Sequence, residues 1–149
     1  AMVLPQALDN IQWYGSGPHE NYSDRKTSAF VGQYNATVKE MEAEHYVRAQ
    51  SMGNREDIRR VSFTNANGQG VKISTSGKLN FSALHFADSA LWNARHDYEL
   101  DNIRRPEVYV SLDCIQQGVG NASCGPPPLK EYMIPENTPL RYSFRIEPL

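Results

Sequence analysis

One short segment of this sequence is the densest cluster of polar and aromatic side chains that could carry chemistry. Residues 13–25 bring together a histidine, two carboxylates, an arginine and three aromatic rings. Aromatic rings pack on the apolar C–H face of a pyranose, while carboxylates, amides and guanidinium groups bind its hydroxyls. The segment therefore predicts a carbohydrate contact, with the candidates Trp13, His19, Glu20, Asn21, Tyr22, Asp24 and Arg25. A structural loop held by its own Asp and Arg side chains is the alternative, and the composition leaves both open.

No spacing elsewhere in the chain marks a complete catalytic centre. A glycosidase needs two carboxylates about 5 to 10 Å apart, yet no pair stands out among the 17 acidic residues. The sequence has no Gly-x-Ser-x-Gly, His-Glu-x-x-His or phosphate-binding loop. Cys114 and Cys124 lack a zinc spacing, and the four histidines are scattered. We therefore expect no metal and no cofactor in this chain.

Charge and hydropathy argue against two classes of partner. Lys and Arg number 15 against 17 Asp and Glu, so the formal net charge is -2 and offers no excess for binding phosphates. Mean hydropathy is -0.59, and no apolar run approaches the roughly 20 residues of a membrane span. We therefore expect neither nucleic acid nor a membrane as partner, and a length of 149 residues suits a single domain over 1–149.

The elements that must position residues 13–25 have the pattern of short β-strands. Apolar, aromatic and β-branched residues recur between turn residues in eight segments: 11–14, 30–38, 45–50, 58–64, 70–75, 79–84, 108–112 and 140–146. Asn67-Gly68 favours a tight turn, so 58–64 and 70–75 should pair antiparallel. One helix is predicted from Asp88, as its cap, to Arg95, with Leu91 and Trp92 on an apolar side. The pattern predicts an all-β antiparallel sandwich with one short helix.

The segment 13–25 is also the first of an ordered series of motifs. The series consists of Trp13-Tyr14-Gly15-x-Gly17-Pro18-His19-Glu20-Asn21-Tyr22-x-Asp24-Arg25, Gly32-x-Tyr34, Gln50-x-x-Gly53-Asn54-Arg55-x-Asp57-x-Arg59, Asn80-Phe81-Ser82-Ala83-Leu84, Leu112-Asp113-x-x-Gln116-x-Gly118-Val119-Gly120 and Pro128-Leu129-x-Glu131-Tyr132. In this order it resembles the last domain of large bacterial β-galactosidases of glycoside hydrolase family 2. The resemblance extends from Trp13 to Ile146, nearly the whole chain.

This resemblance implies a noncatalytic role. In that family both catalytic glutamates lie in a (β/α)8 barrel earlier in the gene, and such a barrel takes about 250 residues. The last domain is an antiparallel β-supersandwich similar to galactose mutarotase, and this chain would form its later part. The implied partners are the galactoside bound by the parent enzyme, the barrel and the other domains. The Mg and Na ions that the family often uses would bind outside this chain, and exposed strand edges would favour homo-oligomers.

The resemblance also implies a loop that completes the sugar site. In the family, the loop after Gly-Val-Gly reaches the rim of the galactoside site and carries a Trp that stacks on the sugar. The rim residues expected here are Gly120, Asn121, Ser123 and Cys124. The loop is one residue shorter than usual, and Cys124 stands where the family has Trp. Because a thiol has no stacking face, we expect either a packing role for Cys124 or a different aglycone.

Three hypotheses for the function follow. The first is a noncatalytic C-terminal fragment of a β-galactosidase that completes the rim of the sugar site and the assembly. The second is a free-standing carbohydrate-binding β-sandwich. The third is a mutarotase-like epimerase, which needs a His base and a Glu acid facing one sugar ring. His19 and Glu20 form the one adjacent pair, and strand neighbours point to opposite faces. The compartment stays open between bacterial cytoplasm and periplasm.

Overall fold

The computed structural model describes residues 1–119 and 125–149. The strands in these ranges are β1 (Met2–Leu4), β2 (Asn10–Gly17), β3 (Phe30–Thr37), β4 (Arg55–Thr64), β5 (Gly70–Leu84), β6 (Val108–Asp113) and β7 (Arg145–Pro148). The α-helices are α1 (Val38–Met41), α2 (Asp88–Asn93) and α3 (Leu100–Ile103), and single 3-10 turns occupy Asp97–Glu99 and Lys130–Tyr132. Within the described ranges, no helix has both the length and the apolar character that crossing a membrane requires.

The seven described strands form one antiparallel sheet. Its order is β1-β6-β5-β4-β2-β3, and β7 pairs with β5 beside this path. β5 is long enough to pair with two strands, β6 and β7, along the same edge. Its first part, Val71 to Ser74, pairs with β7, and its last part, Asn80 to Leu84, pairs with β6. The predicted all-β antiparallel class is confirmed, and the sheet is consistent with a β-sandwich.

The predicted hairpin between 58–64 and 70–75 is confirmed. Thr64 pairs with Gly70 at the end of the β4–β5 ladder. The Oδ1 atom of Asn65 accepts hydrogen bonds from the backbone N–H groups of Asn67 and Gln69, at 2.9 and 3.1 Å. Gly68 has a φ of 79°, a conformation that glycine adopts at little cost. The Asn-Gly turn therefore fixes the register of the two strands.

The main hydrophobic core lies on one face of the sheet. In β2, buried Ile11 and Trp13 alternate with exposed polar residues, as the two-residue period of a strand requires. The Phe81 ring lies edge-on to the rings of Trp13 and Phe63, with centroids 5.9 and 6.3 Å apart. α1 adds Val38 to this core. These aromatic contacts join β2, β4 and β5.

A second hydrophobic cluster lies beside the first and explains one wrong prediction. It consists of Ala49, Met52, Leu84, Phe86, Leu91, Ala94 and Leu100, with Tyr46 and Ile103 packed against it. The segment 45–50 is not a strand: Tyr46 and Ala49 pack in this cluster with residues of α2 and α3, while Val47 is 87% exposed. The second cluster thus holds 45–50 beside the helices.

Other element boundaries also differ from the sequence prediction. The segments 70–75 and 79–84 belong to one continuous strand. The predicted strand 140–146 is wrong over its first part, because β7 begins only at Arg145 and the side chains before it are exposed. The single predicted helix is present as α2, but two further four-residue helices occur in the described ranges.

The orientation of α2 is also different from the prediction. Its N-cap is Ala87, which offers no side-chain hydrogen bond, and Asp88 is the first helical residue. Leu91 is buried in the second cluster, whereas the side chain of Trp92 is 79% exposed. Consecutive residues of a helix point about 100° apart, and here Leu91 faces the second cluster while Trp92 points away from it.

Candidate functional site

The motif of residues 13–25 packs directly against the motif of residues 50–59. These two are called the first motif and the second motif below. Asn21 is fully buried and joins the two. Its backbone N–H donates to the Asn54 carbonyl at 3.0 Å, and the Nδ2 of Asn54 donates to the Asn21 carbonyl at 2.8 Å. The side-chain Oδ1 of Asn21 accepts from the Glu56 N–H at 2.9 Å, and its Nδ2 donates to the His19 carbonyl at 2.8 Å. Asn21 therefore joins the two motifs through three of these four hydrogen bonds.

Glu20 has a similar position between the motifs. Its side chain is 1% exposed. The Tyr46 hydroxyl donates to Oε1 at 2.5 Å, and the Gly53 N–H donates to Oε2 at 2.7 Å. Arg25 lies 3.7 Å from Oε1. Gly53 has a φ of 76°, which a residue with a Cβ rarely adopts, so the second motif needs glycine at this point.

The carboxylate of Glu20 also affects two neighbouring phenols. Burial, and then the charge and hydrogen bonding of Glu20, raise the pKa of both Tyr22 and Tyr46 well above the usual range. Both phenols therefore remain protonated at any physiological pH. They can donate hydrogen bonds but cannot act as bases.

Trp13 and Arg55 are both buried where the two motifs meet. The Arg55 guanidinium lies 5.6 Å from the Trp13 ring centroid, and its Nε donates to the Pro18 carbonyl at 2.8 Å. The Trp13 Nε1 donates to the Ser16 carbonyl at 3.1 Å. Burial lowers the pKa of Arg55 to about 10, against the opposing effect of nearby acidic groups. Because Trp13 is only 3% exposed, its ring packs in the core and is not available to stack on a sugar.

Asp57, at the end of the second motif, is the centre of an ion-pair cluster. Lys78 Nζ lies 2.8 Å from Oδ1 and Lys26 Nζ lies 3.3 Å from Oδ2. Lys26 also contacts Glu56 Oε2 at 2.9 Å, and Ser16 donates to Asp57 at 3.2 Å. Burial alone would raise the pKa of Asp57, but the two lysines together outweigh it and lower the pKa below its usual range.

The cluster predicts a pH dependence of stability that Asp57→Asn should reduce. Since the folded-state pKa of Asp57 is lowered, its contribution is present above the unfolded pKa of about 3.9 and lost as pH falls through the folded value. Urea unfolding at pH 7 and at pH 3 measures how much free energy of unfolding each protein loses on acidification. This loss should be about 1 kcal/mol smaller in Asp57→Asn than in the wild type. The exposed Asp101→Asn is the matched control. Equal pH dependence in all three proteins would refute the assignment.

The first motif also contacts the start of the expected rim loop. The Val119 N–H donates to Asp24 Oδ1 at 3.0 Å, and the Gly118 N–H donates to the Tyr132 carbonyl at 2.8 Å. A Cβ at position 118 would lie 2.7 Å from Asp24 Oδ2, so a larger residue there would require Asp24 to shift. The expected rim residues Gly120, Asn121, Ser123 and Cys124 lie outside the described residues. Asp24 nevertheless joins the first motif to the point where their loop begins.

A cavity of about 820 Å³, with both polar and apolar side chains in its lining, opens beside this contact. The first motif contributes Tyr22 and Arg25, which a reciprocal pair of backbone hydrogen bonds of 3.2 and 2.9 Å places in one turn. The remaining lining residues come from the segment 44–51, from α2, and from either side of Gly118; they are Glu44, Tyr46, Arg48, Ala49, Gln50, Ser51, Asp88, Leu91, Trp92, Gln116 and Val119. Only part of the predicted site thus faces one cavity.

His19 and Glu20 lie outside the lining of this cavity. The Nε2 of His19 is 3.1 Å from the Ser28 hydroxyl, while both carboxylate oxygens of Glu20 accept hydrogen bonds from Tyr46 and Gly53. The pair does not face a common cavity. Sequence reasoning missed Tyr46, Arg48, Asp88 and Trp92, because a local pattern does not reveal that 44–51 and α2 meet the first motif.

The described ranges contain no group of three His, Cys, Asp or Glu side chains that could hold a metal ion. The Cys114 thiol is free and half-buried. Its Sγ lies 3.8 Å from the Arg141 carbonyl.

The fold and the cavity define an antiparallel all-β domain in which two sequence motifs pack together beside this cavity. The chain belongs to the beta galactosidase small chain family, whose model matches residues 1–146. The family resemblance of the motifs is thereby confirmed.

Curated relatives give the extent of this similarity. The chain is 34% identical to a beta-galactosidase of Halalkalibacterium halodurans over 145 residues, 96% of this chain and 14% of that protein. It is 36% identical over 118 residues to one of Priestia megaterium, covering 79% and 11%. It is 32% identical over 149 residues to one of Streptococcus thermophilus, covering 99% and 14%. The chain thus spans about one seventh or less of the length of these relatives.

Proposed function

We propose that the chain is a noncatalytic part of a β-galactosidase that hydrolyses terminal β-galactosides. In this proposal it completes the rim of the galactoside site and contacts the catalytic barrel and other domains of the parent enzyme. Family membership and the names of the relatives support the parent activity. The hydrogen bond from the Val119 N–H to Asp24 carries the rim role, because it fixes the start of the loop next to the cavity.

The acidic side chains of the two motifs support a noncatalytic role. Glu20 is buried and hydrogen-bonded, while Glu56 and Asp57 are paired with lysines. A general acid must reach the glycosidic oxygen, and its partner carboxylate must face the opposite side of the same bond. Carboxylates held in this way serve the packing of the motifs. This agrees with the family resemblance, which implies that the catalytic glutamates lie in the barrel of the parent enzyme.

The proposed role of the rim is to position the substrate. Asp24 accepts the Val119 N–H and lies against Gly118, so it holds the chain at the point where the rim loop begins. Arg25 is held in the cavity by Glu44 at 3.4 Å. A rim that binds the substrate in one orientation raises kcat/KM, because the entropy of orienting the sugar is lost before the chemical step.

The other two hypotheses receive different support. A mutarotase-like epimerase is not favoured, because His19 and Glu20 do not share a cavity. A free-standing carbohydrate-binding domain remains the second candidate, since the cavity is present in the chain itself. Self-association also remains a prediction: β1 and β3 are at the ends of the sheet order, where unpaired backbone groups can meet another strand.

A chimeric enzyme tests the proposed function. We expect the beta-galactosidase of Halalkalibacterium halodurans to remain active when this chain replaces the matching segment. In that chimera, Asp24→Ala should lower kcat/KM for lactose about tenfold, the scale of one lost charge-assisted hydrogen bond at a positioning contact. Asp24→Asn should recover part of the activity, because its amide oxygen can still accept from Val119.

The matched control for Asp24 is the exposed Asp101→Ala, which should leave kcat/KM unchanged. Size-exclusion chromatography verifies that each chimera assembles. An assembled chimera whose kcat/KM is unaffected by Asp24→Ala would contradict the rim role, whereas an assembled wild-type chimera without activity would contradict the parent function.

A further inference from the structure

The turn between β4 and β5 contains a chemical feature that the proposed function does not use. Asn67 is the only asparagine of the sequence that precedes a glycine. In such a pair the backbone nitrogen of the glycine can approach the side-chain carbonyl carbon of the asparagine, because glycine has no Cβ to obstruct it. The asparagines that precede alanine, whose Cβ crowds the same nitrogen, are Asn35, Asn65, Asn93 and Asn121. The turn therefore contains the asparagine that is most open to attack by its own backbone.

The surroundings of Asn67 leave its side chain accessible. Both Asn67 and Gly68 are exposed in the hairpin turn, and a Cβ built at Gly68 would meet no described atom within 4 Å. Among the described residues, none forms a hydrogen bond with the side-chain amide of Asn67. Solvent can therefore reach this amide, and no neighbour in the described ranges shields its carbonyl carbon.

The hydrogen bonds of the turn restrain the attacking nitrogen. The Gly68 N–H donates to the Asn65 carbonyl at 3.0 Å. The Asn65 side chain also closes the turn, since its Oδ1 accepts from the N–H groups of Asn67 and Gln69 at 2.9 and 3.1 Å. An amide nitrogen attacks a carbonyl carbon only as it gives up its proton, and here the Asn65 carbonyl binds that proton. The closed turn therefore opposes the reaction that the Asn-Gly sequence favours.

We propose that Asn67 is a site of spontaneous deamidation, and that the Asn65 side chain slows the reaction by keeping the turn closed. When the turn opens, the Gly68 nitrogen bonds to Cγ of Asn67, the Cγ–Nδ2 bond breaks, and the proton of the nitrogen leaves with the amide as ammonia. Solvent water then opens the resulting succinimide ring. Cleavage of the new bond to Cγ gives aspartate, and cleavage of the bond to the main-chain carbonyl carbon gives isoaspartate. No atom is oxidised or reduced.

The two products differ in their consequences for the sheet. Both add one negative charge to the formal net charge of -2. Aspartate leaves the path of the backbone unchanged, whereas isoaspartate adds one carbon atom to the main chain between β4 and β5. Gly70, at the start of β5, exchanges two hydrogen bonds of 3.1 and 2.8 Å with Leu149, the residue after β7. A longer turn displaces Gly70, so isoaspartate should weaken the contact between β5 and the end of β7.

Peptide mapping by mass spectrometry tests the proposal on the folded chain. The chain is incubated in a mildly alkaline buffer made with heavy-oxygen water, so that each ring opening incorporates a labelled oxygen. We expect label at position 67 in both aspartate and isoaspartate peptides, and much less at the asparagines that precede alanine. The same chain unfolded in urea is the reference. Its Asn67 should react several-fold faster, because the turn no longer holds the Gly68 proton.

Variants of Asn65 test the part of the proposal that depends on the structure. Asn65→Ala should raise the rate at Asn67 roughly fivefold, the factor that loss of one hydrogen bond gives. Asn65→Asp keeps a side-chain oxygen as acceptor and should react at close to the wild-type rate. The matched control is Asn35→Ala, which removes an exposed asparagine from β3 and should leave the rate unchanged. Circular dichroism verifies that each variant is folded.

Three results would overturn the inference. The first is an Asn67 that reacts no faster in the folded chain than the asparagines before alanine. The second is an equal rate in Asn65→Ala and the wild type, and the third is an equal rate in the folded and the urea-unfolded chain. None of these measurements involves the parent enzyme, so their outcome is independent of the chimera experiment and of the proposed function.

Discussion

Replacement of Glu20 by alanine should lower the free energy of unfolding by about 3 kcal/mol. The carboxylate is 1% exposed, and it accepts hydrogen bonds from the Tyr46 hydroxyl and the Gly53 N–H. Its removal leaves the buried N–H without an acceptor. It also removes the negative charge that favours the protonated form of buried Arg55. Urea denaturation followed by far-ultraviolet circular dichroism measures the change.

Two further variants make the Glu20 result specific. Glu20→Gln keeps an acceptor oxygen but loses the charge, so it should fall between the wild type and Glu20→Ala. Glu44→Ala removes the pairing of Arg25 with a less buried carboxylate and should cost below about 1 kcal/mol, as solvent-exposed ion pairs do. If Glu20→Ala and Glu44→Ala had equal effects, the two motifs would not depend on the buried carboxylate.

Replacement of Phe81 by alanine should lower the free energy of unfolding by about 4 kcal/mol. The ring is fully buried and lies edge-on to both Trp13 and Phe63. Removing it leaves a cavity at the point where β2, β4 and β5 share the core. The surrounding strands are hydrogen-bonded to one another and cannot close this space. Thermal and urea denaturation measure the effect.

The matched control for Phe81 is Phe30→Ala. Phe30 is also on a strand but is 71% exposed, so its truncation should change stability by less than about 1 kcal/mol. Phe81→Leu, which keeps most of the volume, should recover a large part of the loss. A small effect of Phe81→Ala would mean that the core collapses into the space, and that the three strands are less fixed than their pairing indicates.

The parts of the fold that could be predicted from the sequence are those determined by neighbouring residues. The β4–β5 hairpin follows from Asn67-Gly68 and the alternating residues around it. The segment 45–50 shows the opposite case, because its apolar residues fit a strand but two of them pack with the helices. At 140–146 the alternation is clear, yet β7 begins only at Arg145. Alternation indicates which side chains differ in exposure, but it does not select the partner that covers them.

The candidate site likewise combines features that the local sequence predicts with contacts that it does not predict. The motif pattern identified residues 13–25, but their roles depend on contacts with residues more than thirty positions away. Asn21 is bound to Glu56, and Asp24 to Val119. No local rule pairs these residues, so a choice between structural and sugar-contacting roles required the three-dimensional arrangement. The exposure of Trp92 also depends on tertiary contacts, because the second cluster takes Leu91 and leaves its neighbour outside.

The two partners on one side of β5 also differ in the chain entropy that their pairing requires. The β4–β5 hairpin closes over the few residues between Thr64 and Gly70, while β7 reaches Ser74 from Arg145. Closure entropy grows with the logarithm of loop length, so a loop more than ten times longer costs about 2 kcal/mol more to close. β5 thus pairs with β4 at a low cost in chain entropy and with β7 at a higher one. We therefore expect the hairpin to set the register of β5 before β7 docks.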